Sequence, residues 1–517
     1  MPFITSEREI AYSHDAAALF HALATPRDSL LLEAADIESK KNLNCIAITK
    51  AALRVTCRGQ EVTARALTPT GEALLAVLTK EFAERLLREG EGQATFGFEF
   101  SEEIDERSRL RDSSTADILR ALQLGAAYSS TMLPFLGGGF AFDYLGTFEH
   151  LPEVAEGAND YPDYEFLVAE ELLSVNHLDG SARVEGVGTD KQALEESLAR
   201  LADLAATAAA LTAPAASSTE TEAAEPKPLR ATASVDDATF RRNVKQLKKN
   251  IDAGDIYQVV PARSFSLDCP DAFAAYRRLR DTNPSPYMFY IRGADYELFG
   301  ASPESNLKFT AANRMVQLYP IAGTRPRGLN PDGTINPELD IRNELEMRTD
   351  HKEVAEHTML VDLARNDLAR VAVPRTRIVK DLLQVDRYSR VMHLVSRVTA
   401  TLDPDFDALD AYRACMNMGT LTGAPKLRAM ELLRDVEGTR RGSYGGAVGY
   451  LRGDGSMDNC IVIRSAYVKG GTAVVQAGAG VVRDSIPQSE ADETVHKAYA
   501  VLNAIALAQG ASLEVIR

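Results

Sequence analysis

The sequence predicts an α+β layered protein, in which large, antiparallel-rich β-sheets carry helices packed on their outer faces. Strand-like and helix-like segments alternate through most of the 517 residues, and chains of this kind bury a sheet face under helices. Hydrophobic residues make up 45% of the chain and charged residues 25%. These values are typical of a soluble globular protein with a large core, and the length allows two or three domain-sized units.

The charge and the cysteines exclude several classes of function. A formal net charge of −17 argues against binding to nucleic acid or to anionic membrane surfaces. No apolar run reaches transmembrane length, and the first residues lack the apolar core of a signal peptide. Five scattered cysteines form no CxxC pair, which predicts a reducing, cytoplasmic location and no cysteine metal site.

The first predicted unit covers residues 1–204. Its clearest elements are two helices and three strands, expected at Asp15–Leu23, Gly71–Arg88, Ser29–Glu33, Cys45–Thr49 and Ala52–Cys57. A glycine-rich segment at Leu136–Tyr144 has no helix-start signal behind it, so close packing of strands explains it better than a phosphate-binding loop does.

A shift in composition separates this unit from the next. Residues 205–233 are mostly Ala, Pro, Ser, Thr and Glu and cannot bury enough apolar surface to order themselves, so we predict a linker or loop. The second unit, 234–517, begins with an amphipathic helix at Phe240–Ile251 that stops at Gly254, followed by a strand at Asp255–Phe265. Further elements are expected as strands at Tyr287–Ile291, Glu297–Ala301, Asn306–Phe309, Gly445–Leu451, Cys460–Val468 and Thr472–Ala477, and as helices at Asp350–Asp362, Ala408–Cys415, Pro425–Glu437 and Glu490–Ala506.

Two pairs of glutamates give the strongest chemical signal. Glu490 and Glu493 are spaced i, i+3 at the start of a predicted helix, and Glu353 and Glu356 repeat this spacing in another. An acidic first turn is ordinary by itself. Two such pairs facing each other would form an oxygen-rich Mg²⁺ site, beside a glycine-rich anion loop at Gly478-Ala479-Gly480.

Several polar residues occur where the local pattern is apolar or turn-like. His393 and Arg464 interrupt apolar strands, Glu304 follows a strand end, and Arg325 and Arg327 lie in a rigid turn. A buried arginine usually has an anionic partner. Taken alone, His393 is better interpreted as a structural histidine of the core than as a catalytic one. Arg325 and Arg327 are equally well explained as solvent-exposed residues of a turn. Their joint occurrence in one half of the chain favours a functional site.

Long motifs identify a family. Residues 234–507 resemble the chorismate-utilising enzymes, and the N-terminal half is similar to the companion region of the anthranilate synthase component I family. The motifs that carry the resemblance include LLEAADI, GDIYQVVPAR, NPSPYMF, FGASPES, YPIAGTRPRG, HKEVAEHTMLVDLARNDLAR, VDRYSRVMHLVS, MGTLTGAPK, RRGSYGGAVGY, CIVIRSA and QAGAGVVRDSIPQSEADET. The resemblance covers nearly the whole chain and implies the chorismate-utilising enzyme fold.

The resemblance implies a reaction and a binding site. Chorismate would lose its C4 hydroxyl as ammonia adds at C2, and pyruvate would then be eliminated to leave anthranilate. Mg²⁺ would hold the ring carboxylate through Glu356 and Glu493, with Glu353 and Glu490 behind them. The residues expected to bind the remainder of chorismate are Gly323, Thr324, Tyr444, Arg464, Gly478, Ala479, Gly480 and Lys497.

The resemblance also suggests roles in proton transfer and in the choice of nucleophile. Glu304 would act as general acid for the departing hydroxyl, and His393, steadied by Thr420, would take the C2 proton. Related water-using enzymes carry a lysine where this chain has Gln258, and aminodeoxychorismate synthases usually carry one where it has Ala322. Both positions favour anthranilate formation. Aminodeoxychorismate synthesis and a non-catalytic amino-acid-sensing subunit remain the alternatives.

Partners and regulation are implied by the resemblance alone. Ammonia would come from a separate glutamine amidotransferase small subunit, in a heterotetramer of two large and two small subunits. L-Tryptophan would inhibit by binding near Glu33 and Ala34 and near Pro286, Tyr287 and Met288. Ala34 replaces the family's serine, so we expect inhibition to persist but to be weaker. The chain contains no tryptophan, which suits an enzyme made during tryptophan starvation.

Overall fold

The computed structural model describes residues 3–35, 42–211, 228–330, 334–387 and 391–517. Its first half contains these elements: β1 (Ile4–Glu9), α1 (Ala16–Leu23), β2 (Ser29–Ala35), β3 (Asn42–Arg58), β4 (Glu61–Ala66), α2 (Pro69–Glu81), β5 (Leu86–Gly90), β6 (Gln93–Gly97), α3 (Glu106–Arg111), α4 (Asp117–Leu124), β7 (Phe135–Phe140), β8 (Tyr164–Asn176), β9 (Ser181–Gly188) and α5 (Lys191–Leu211).

The second half begins with β10 (Leu229–Ala233), α6 (Asp237–Ala253), β11 (Gln258–Val259), β12 (Ala262–Asp268), α7 (Ala272–Thr282), β13 (Tyr287–Arg292), β14 (Tyr296–Ser302), β15 (Ser305–Thr310), β16 (Met315–Leu318), β17 (Ile321–Pro326), α8 (Pro337–Thr349) and α9 (His351–Ala369). It continues with β18 (Ile378–Arg387), β19 (Val391–Thr401), α10 (Ala408–Cys415), β20 (Gly423–Ala424), α11 (Lys426–Glu437), β21 (Ala447–Arg452), β22 (Met457–Ile461), β23 (Ser465–Lys469), β24 (Thr472–Gly478), α12 (Pro487–Ala508) and β25 (Leu513–Ile516).

Two large sheets share the long strands β3 and β8. One sheet runs in the order β1-β9-β8-β3-β2-β13-β14-β23-β24-β12-β10-β25, and the other runs β5-β6-β4-β3-β8-β7-β21-β22-β15-β16-β19-β18, with β17 also on β19. The first part of β3 pairs with β2 and the last part with β4, and its register against β8 shifts between Ile48 and Leu53. Such irregularities bend a strand, which lets one strand serve both sheets.

The pairing confirms the predicted fold class. Neighbouring strands are antiparallel except β10 and β25. One hydrophobic cluster combines residues of both sheets, and a second packs α1, α5, α7 and α12 onto the outer face of the first sheet. No helix in the described ranges is long and apolar enough to cross a membrane.

Four element predictions are wrong in detail. The two strands expected at Cys45–Cys57 are one bent strand, β3, and the helix expected at Gly71–Arg88 ends at Glu81, because Leu86–Gly90 pairs with β6. The strand expected at Asp255–Phe265 is interrupted at Pro261, which has no N–H to donate to a ladder. The strand expected at Cys460–Val468 breaks at Arg464, whose φ is +50°.

The predicted linker is ordered at both ends. Helix α5 continues to Leu211 because Ala is a strong helix former and Ala205 packs into the core. Strand β10 pairs with β12 and β25. Residues 212–227 lie outside the described ranges. Strands from both predicted units also pair with each other, β2 with β13 and β7 with β21, so the division at residue 234 stays a prediction about the sequence.

The glycine-rich segment at Leu136–Tyr144 forms a closely packed strand, as expected. Strand β7 lies between β8 and β21. A Cβ on Gly138 would come within 2.0 Å of the carbonyl oxygen of Glu165, so any larger residue would push the two strands apart.

Candidate active site

The second half of the chain encloses a cavity of about 570 Å³. Nearly all the residues selected from the sequence line it: Glu304, Gly323, Glu353, Glu356, His393, Thr420, Tyr444, Arg464, Gly478, Gly480, Glu490, Glu493 and Lys497. Ala479 is buried behind the wall, and the side chain of Thr324 lies outside the described part of the structure. Tertiary folding therefore gathers residues separated by almost 200 positions.

The glutamate pairs lie near the beginnings of two helices. Glu353 and Glu356 lie in the first two turns of α9, whose N-cap Asp350 accepts hydrogen bonds from two backbone N–H groups. Glu490 and Glu493 occupy the same place in α12. Both predicted helices are thus confirmed. The positive ends of two helix dipoles add to the stability of these carboxylates.

Each glutamate also contacts a neighbouring donor or charge. Oε1 of Glu356 accepts from Gln258 at 2.9 Å, and Glu493 pairs with Lys497 at 2.6 Å. Burial, and next the charge of Glu353, raises the pKa of Glu356. Burial also raises the pKa of Glu490, to which the charge of Glu493 adds. Glu353 pairs with Arg325 at 2.8 Å. Among the described residues, Glu356 and Glu490 are therefore the two carboxylates of this set without an ion pair, and they are open to a bound cation.

The spacing of these carboxylates is looser than that of a complete metal centre. Among the described residues, no group of three His, Cys, Asp or Glu side chains is close enough to hold a metal ion. The ligand type is nevertheless suitable, because Mg²⁺ prefers carboxylate oxygens and retains several waters. Water molecules could bridge the remaining gaps.

Glu304 has the properties of a general acid. It follows β14 and is 6% exposed, and Oε1 accepts a hydrogen bond from the hydroxyl of Thr420 at 3.1 Å. Burial raises the pKa of Glu304 to about 8, although Thr420, Arg464 and Lys497 oppose the shift. The carboxyl group therefore keeps its proton near neutral pH. The sequence suggested that Thr420 steadies His393, but its hydroxyl proton is donated to Glu304.

His393 is a neutral imidazole in the cavity wall. It lies in β19 opposite β17, and Nδ1 is 3.3 Å from the carbonyl oxygen of Gly323. Burial and the charge of Arg464 lower the pKa of His393 to about 4, so the ring is neutral at pH 7. With Nδ1 protonated and donating to Gly323, Nε2 is the basic nitrogen. Gly323 has a φ of +81° at the bulge that permits this contact.

Arg464 lies in the cavity wall between β22 and β23. The sequence predicted an anionic partner for it, yet no carboxylate of the described residues forms an ion pair with Arg464. Burial lowers the pKa of Arg464, and the nearby Glu493 carboxylate opposes this shift only through its charge. Even so, a guanidinium stays protonated. Arg464 is therefore suited to binding a carboxylate that enters the cavity.

One backbone N–H of the predicted anion-binding loop is already used within the protein. A Cβ on Gly478 would come within 3.3 Å of Oη of Tyr444, and one on Gly480 within 3.1 Å of Nε2 of Gln258. These glycines allow close packing of the wall. The N–H of Ala479, however, donates to Pro261 O at 3.1 Å, so it is already used within the protein and is a poor anion donor.

The two segments proposed to bind an inhibitor lie side by side in the first sheet. Strand β2 pairs with β13, with Glu33 opposite Met288. The carboxylate of Glu33 accepts from the Tyr276 hydroxyl and from Arg280, on the side of α7. Because side chains alternate along a strand, Ala34 lies on the other face. The side chains of Glu33 and Ala34 therefore lie on opposite faces of the sheet, and only that of Glu33 is on the side of α7.

The cavity also contains residues to which the sequence assigned no role in the site. Lys352, Leu360 and His496 line it together with Gln258. Lys352 precedes Glu353, and His496 follows Glu493 by three residues, so helical spacing was the signal that could have revealed both.

Comparisons with known proteins identify the family of this chain. The sequence model of the family described as chorismate binding enzyme matches residues 80–503. Anthranilate synthase component 1 of Vibrio cholerae is 50% identical over 98% of this chain and 96% of its own length, and that of Escherichia coli is 49% identical over 97% of each. The crystal structure of anthranilate synthase component I from Streptococcus pneumoniae superposes with a TM-score of 0.70 at 29% identity, covering 89% of this chain and 92% of that one.

A more distant structure shares the fold. The menaquinone-specific isochorismate synthase of Escherichia coli has a TM-score of 0.64 at 17% identity, over 98% of this chain and 95% of its own. The sequence matches to anthranilate synthase component 1, at 49–50% identity over 97–98% of this chain, are much more specific than this structural match at 17% identity. The chain therefore belongs to the chorismate binding enzyme family and, within it, groups with the proteins named anthranilate synthase component 1.

Proposed function

We propose that this chain is the large subunit of an anthranilate synthase, which converts chorismate and ammonia to anthranilate and pyruvate in the first committed step of tryptophan synthesis. The observation that carries the proposal is the pairing of a protonated acid with a neutral base in one cavity. Glu304, with a pKa of about 8, and His393, with a pKa of about 4, lie in a cavity that also contains Arg464 and four glutamates.

Chorismate is a dianion, so each end needs a positive partner. The enolpyruvyl carboxylate is assigned to Arg464, beside Tyr444 and Gly480. The ring carboxylate is assigned to the opposite wall, where Glu356 and Glu493 would hold Mg²⁺ with Glu353 and Glu490 behind them. The metal would neutralise the ring carboxylate and orient the ring. The hydrogen bond from Gln258 fixes Glu356 for this role.

The two steps use the acid and the base in turn. In the first, Glu304 donates its proton to the C4 hydroxyl, which leaves as water while ammonia adds at C2 to give 2-amino-2-deoxyisochorismate. In the second, Nε2 of His393 takes the C2 proton, and the bond between the ring and the enolpyruvyl oxygen breaks. The electron pair leaves with that oxygen as the enolate of pyruvate, which takes up a proton at its methylene carbon to become pyruvate. Thr420 holds Glu304 in place for the first step.

The cavity wall favours ammonia as the nucleophile. The side chain at position 322 is only a methyl group, so it offers no amine that could attack C2 covalently. Position 258 carries a carboxamide, which cannot act as a base toward water at neutral pH. Free ammonia needs neither a covalent amine at position 322 nor a base at position 258 to attack C2. We assign its supply to a glutamine amidotransferase small subunit in a heterotetramer, and we place the reaction in the cytoplasm, where the five buried free cysteines stay reduced.

The direct test is anthranilate fluorescence. We expect the purified chain to produce it from chorismate, Mg²⁺ and ammonium at mildly alkaline pH, and EDTA to abolish it until Mg²⁺ is restored. If chorismate is consumed without fluorescence, the product must be identified, and aminodeoxychorismate becomes the leading candidate. Untouched chorismate, also after the small subunit is added, would favour a non-catalytic amino-acid sensor.

We also propose feedback inhibition by L-tryptophan at the paired strands β2 and β13. Met288 and Glu33 are opposite each other in this pair, and Ala34, Pro286 and Tyr287 are adjacent to them. Tyr287 donates to Asp458 at 3.2 Å, which links the strand pair to β22. Ser302, which pairs with Tyr287, is two residues from Glu304. A ligand bound against one face of this strand pair would therefore shift the catalytic acid.

Ala34 should set the strength of inhibition. We expect Ala34→Ser to strengthen inhibition by tryptophan up to about tenfold, because one added hydrogen bond contributes roughly 0.5–1.5 kcal/mol. The measurement is an inhibition curve for both proteins, with the chorismate KM in the absence of tryptophan as the control. If millimolar tryptophan leaves the unmodified chain fully active, the proposed regulation is wrong.

A further inference from the structure

A second, much smaller cleft adjoins the active-site cavity. Its volume is about 10 Å³, roughly that of one water-sized sphere. Leu360 and Thr420 belong to the walls of both spaces, so these two side chains separate them. The other residues around the cleft are Pro320, Leu363, Ala364, Asp367, Met418 and Gly419.

The cleft lies away from the charged end of the cavity. Ala364 follows Glu356 by eight residues on α9, which places it about 12 Å further along the helix axis. With a metal ion and a dianionic substrate at the glutamates, that end is filled. A nucleophile that arrives after chorismate therefore needs another way in. The cleft borders the cavity at Thr420, whose hydroxyl donates to the catalytic acid Glu304.

The walls of the cleft suit a small neutral molecule. They consist mainly of apolar groups from Pro320, Leu363, Ala364 and Met418. The charge of Asp367 is balanced by Lys426, whose Nζ is 2.5 Å from Oδ2 of the carboxylate. Moving ammonium from water into this cleft would cost much free energy, because its charge would lose hydration without gaining a counter-charge. The same transfer of uncharged ammonia would cost much less free energy. At the inner end the Thr420 oxygen can accept an N–H bond, which leaves the lone pair of ammonia free to attack.

Glycine keeps the cleft open. A Cβ on Gly419 would come within 2.5 Å of Cδ2 of Leu363 and within 3.1 Å of Cδ2 of Leu360. Because the backbone of Gly419 is not left-handed, an alanine would be acceptable locally but would narrow the cleft. We propose that this cleft is the ammonia site of the enzyme, where one neutral ammonia molecule waits behind Leu360 and Thr420 before it attacks chorismate. The inference rests on the proposed function.

The test compares variants that fill the cleft. We expect Ala364→Leu to raise the KM for ammonia about tenfold or more, because a side chain added to a packed space excludes a ligand there. The KM for chorismate and the affinity for Mn²⁺, measured by electron paramagnetic resonance, should not change. In the unmodified chain, the rate at different pH values should follow the concentration of NH3 rather than that of NH4⁺. Ala369→Leu, the same change at an exposed position at the end of α9, is the matched control.

The outcomes separate the two proposals. Gly419→Ala adds a single carbon to the wall of the cleft. It provides the same test of the KM for ammonia if Ala364→Leu unfolds at too low a temperature to be assayed. An unmodified chain that makes no anthranilate would overturn the proposed function. An active chain whose two filled variants keep the original KM for ammonia would overturn the ammonia site, as would an equal rise in the KM values for ammonia and chorismate.

Discussion

Glu304→Gln should lower the rate of chorismate consumption by about 10²–10⁴-fold, the usual contribution of a general acid. Gln has nearly the same shape but no acidic proton, so the C4 hydroxyl would have to leave as hydroxide. The chorismate KM and the metal affinity should change little, because Glu304 contacts neither end of the proposed dianion. The measurement is kcat from the loss of chorismate absorbance.

The pH profile gives a second measurement on the same residue. The active form of Glu304 is protonated, so the rate with saturating NH3 should fall as pH rises through about 8, and this limb should vanish in Glu304→Gln. Glu165→Gln is the matched control, since Glu165 is also buried and hydrogen-bonded but does not line the cavity. A Glu304→Gln variant with the original kcat would exclude the assigned role.

His393→Ala should change the product. Without the base the elimination slows by about 10²–10⁴-fold, while the addition of ammonia continues, so 2-amino-2-deoxyisochorismate should accumulate and anthranilate fluorescence should nearly disappear. Liquid chromatography with mass detection would measure both compounds. An external imidazole should restore part of the elimination, since the removed side chain leaves a space for it.

The control for this variant is His150→Ala. The His150 ring stacks on Phe100 and takes no part in the cavity wall, so this protein should make anthranilate at the normal rate. If His393→Ala also does so, the elimination does not use His393. A parallel loss of chorismate consumption and anthranilate would instead assign His393 to the first step.

Local patterns predicted many elements well. Helix α10 begins and ends at the predicted residues, and α6 ends at Gly254, whose φ of +83° is the left-handed C-cap expected of glycine. Helix boundaries follow from capping residues and hydrophobic periodicity, and both depend on a few neighbouring residues. Strand boundaries were less accurate at β3 and at Arg464, because pairing with distant strands decides where a strand bends or stops.

The residues of the candidate active site were also largely predictable from the sequence. Helical spacing indicated the glutamate pairs, and breaks in the local pattern indicated Glu304, His393 and Arg464. The structure brings all of them to one cavity. Their contacts were not predictable. The donation from Thr420 to Glu304 and the use of the Ala479 N–H by Pro261 each depend on the relative placement of two distant segments.

The sequence by itself determined the fold class, the family and the residue types that carry the chemistry, because these depend on hydrophobic periodicity and on motifs of adjacent residues. Only the tertiary structure decided the protonation states of Glu304 and His393 and the presence of a cleft behind Thr420. The physical reason is that burial, which raises one pKa to about 8 and lowers the other to about 4, is produced by side chains far away in sequence.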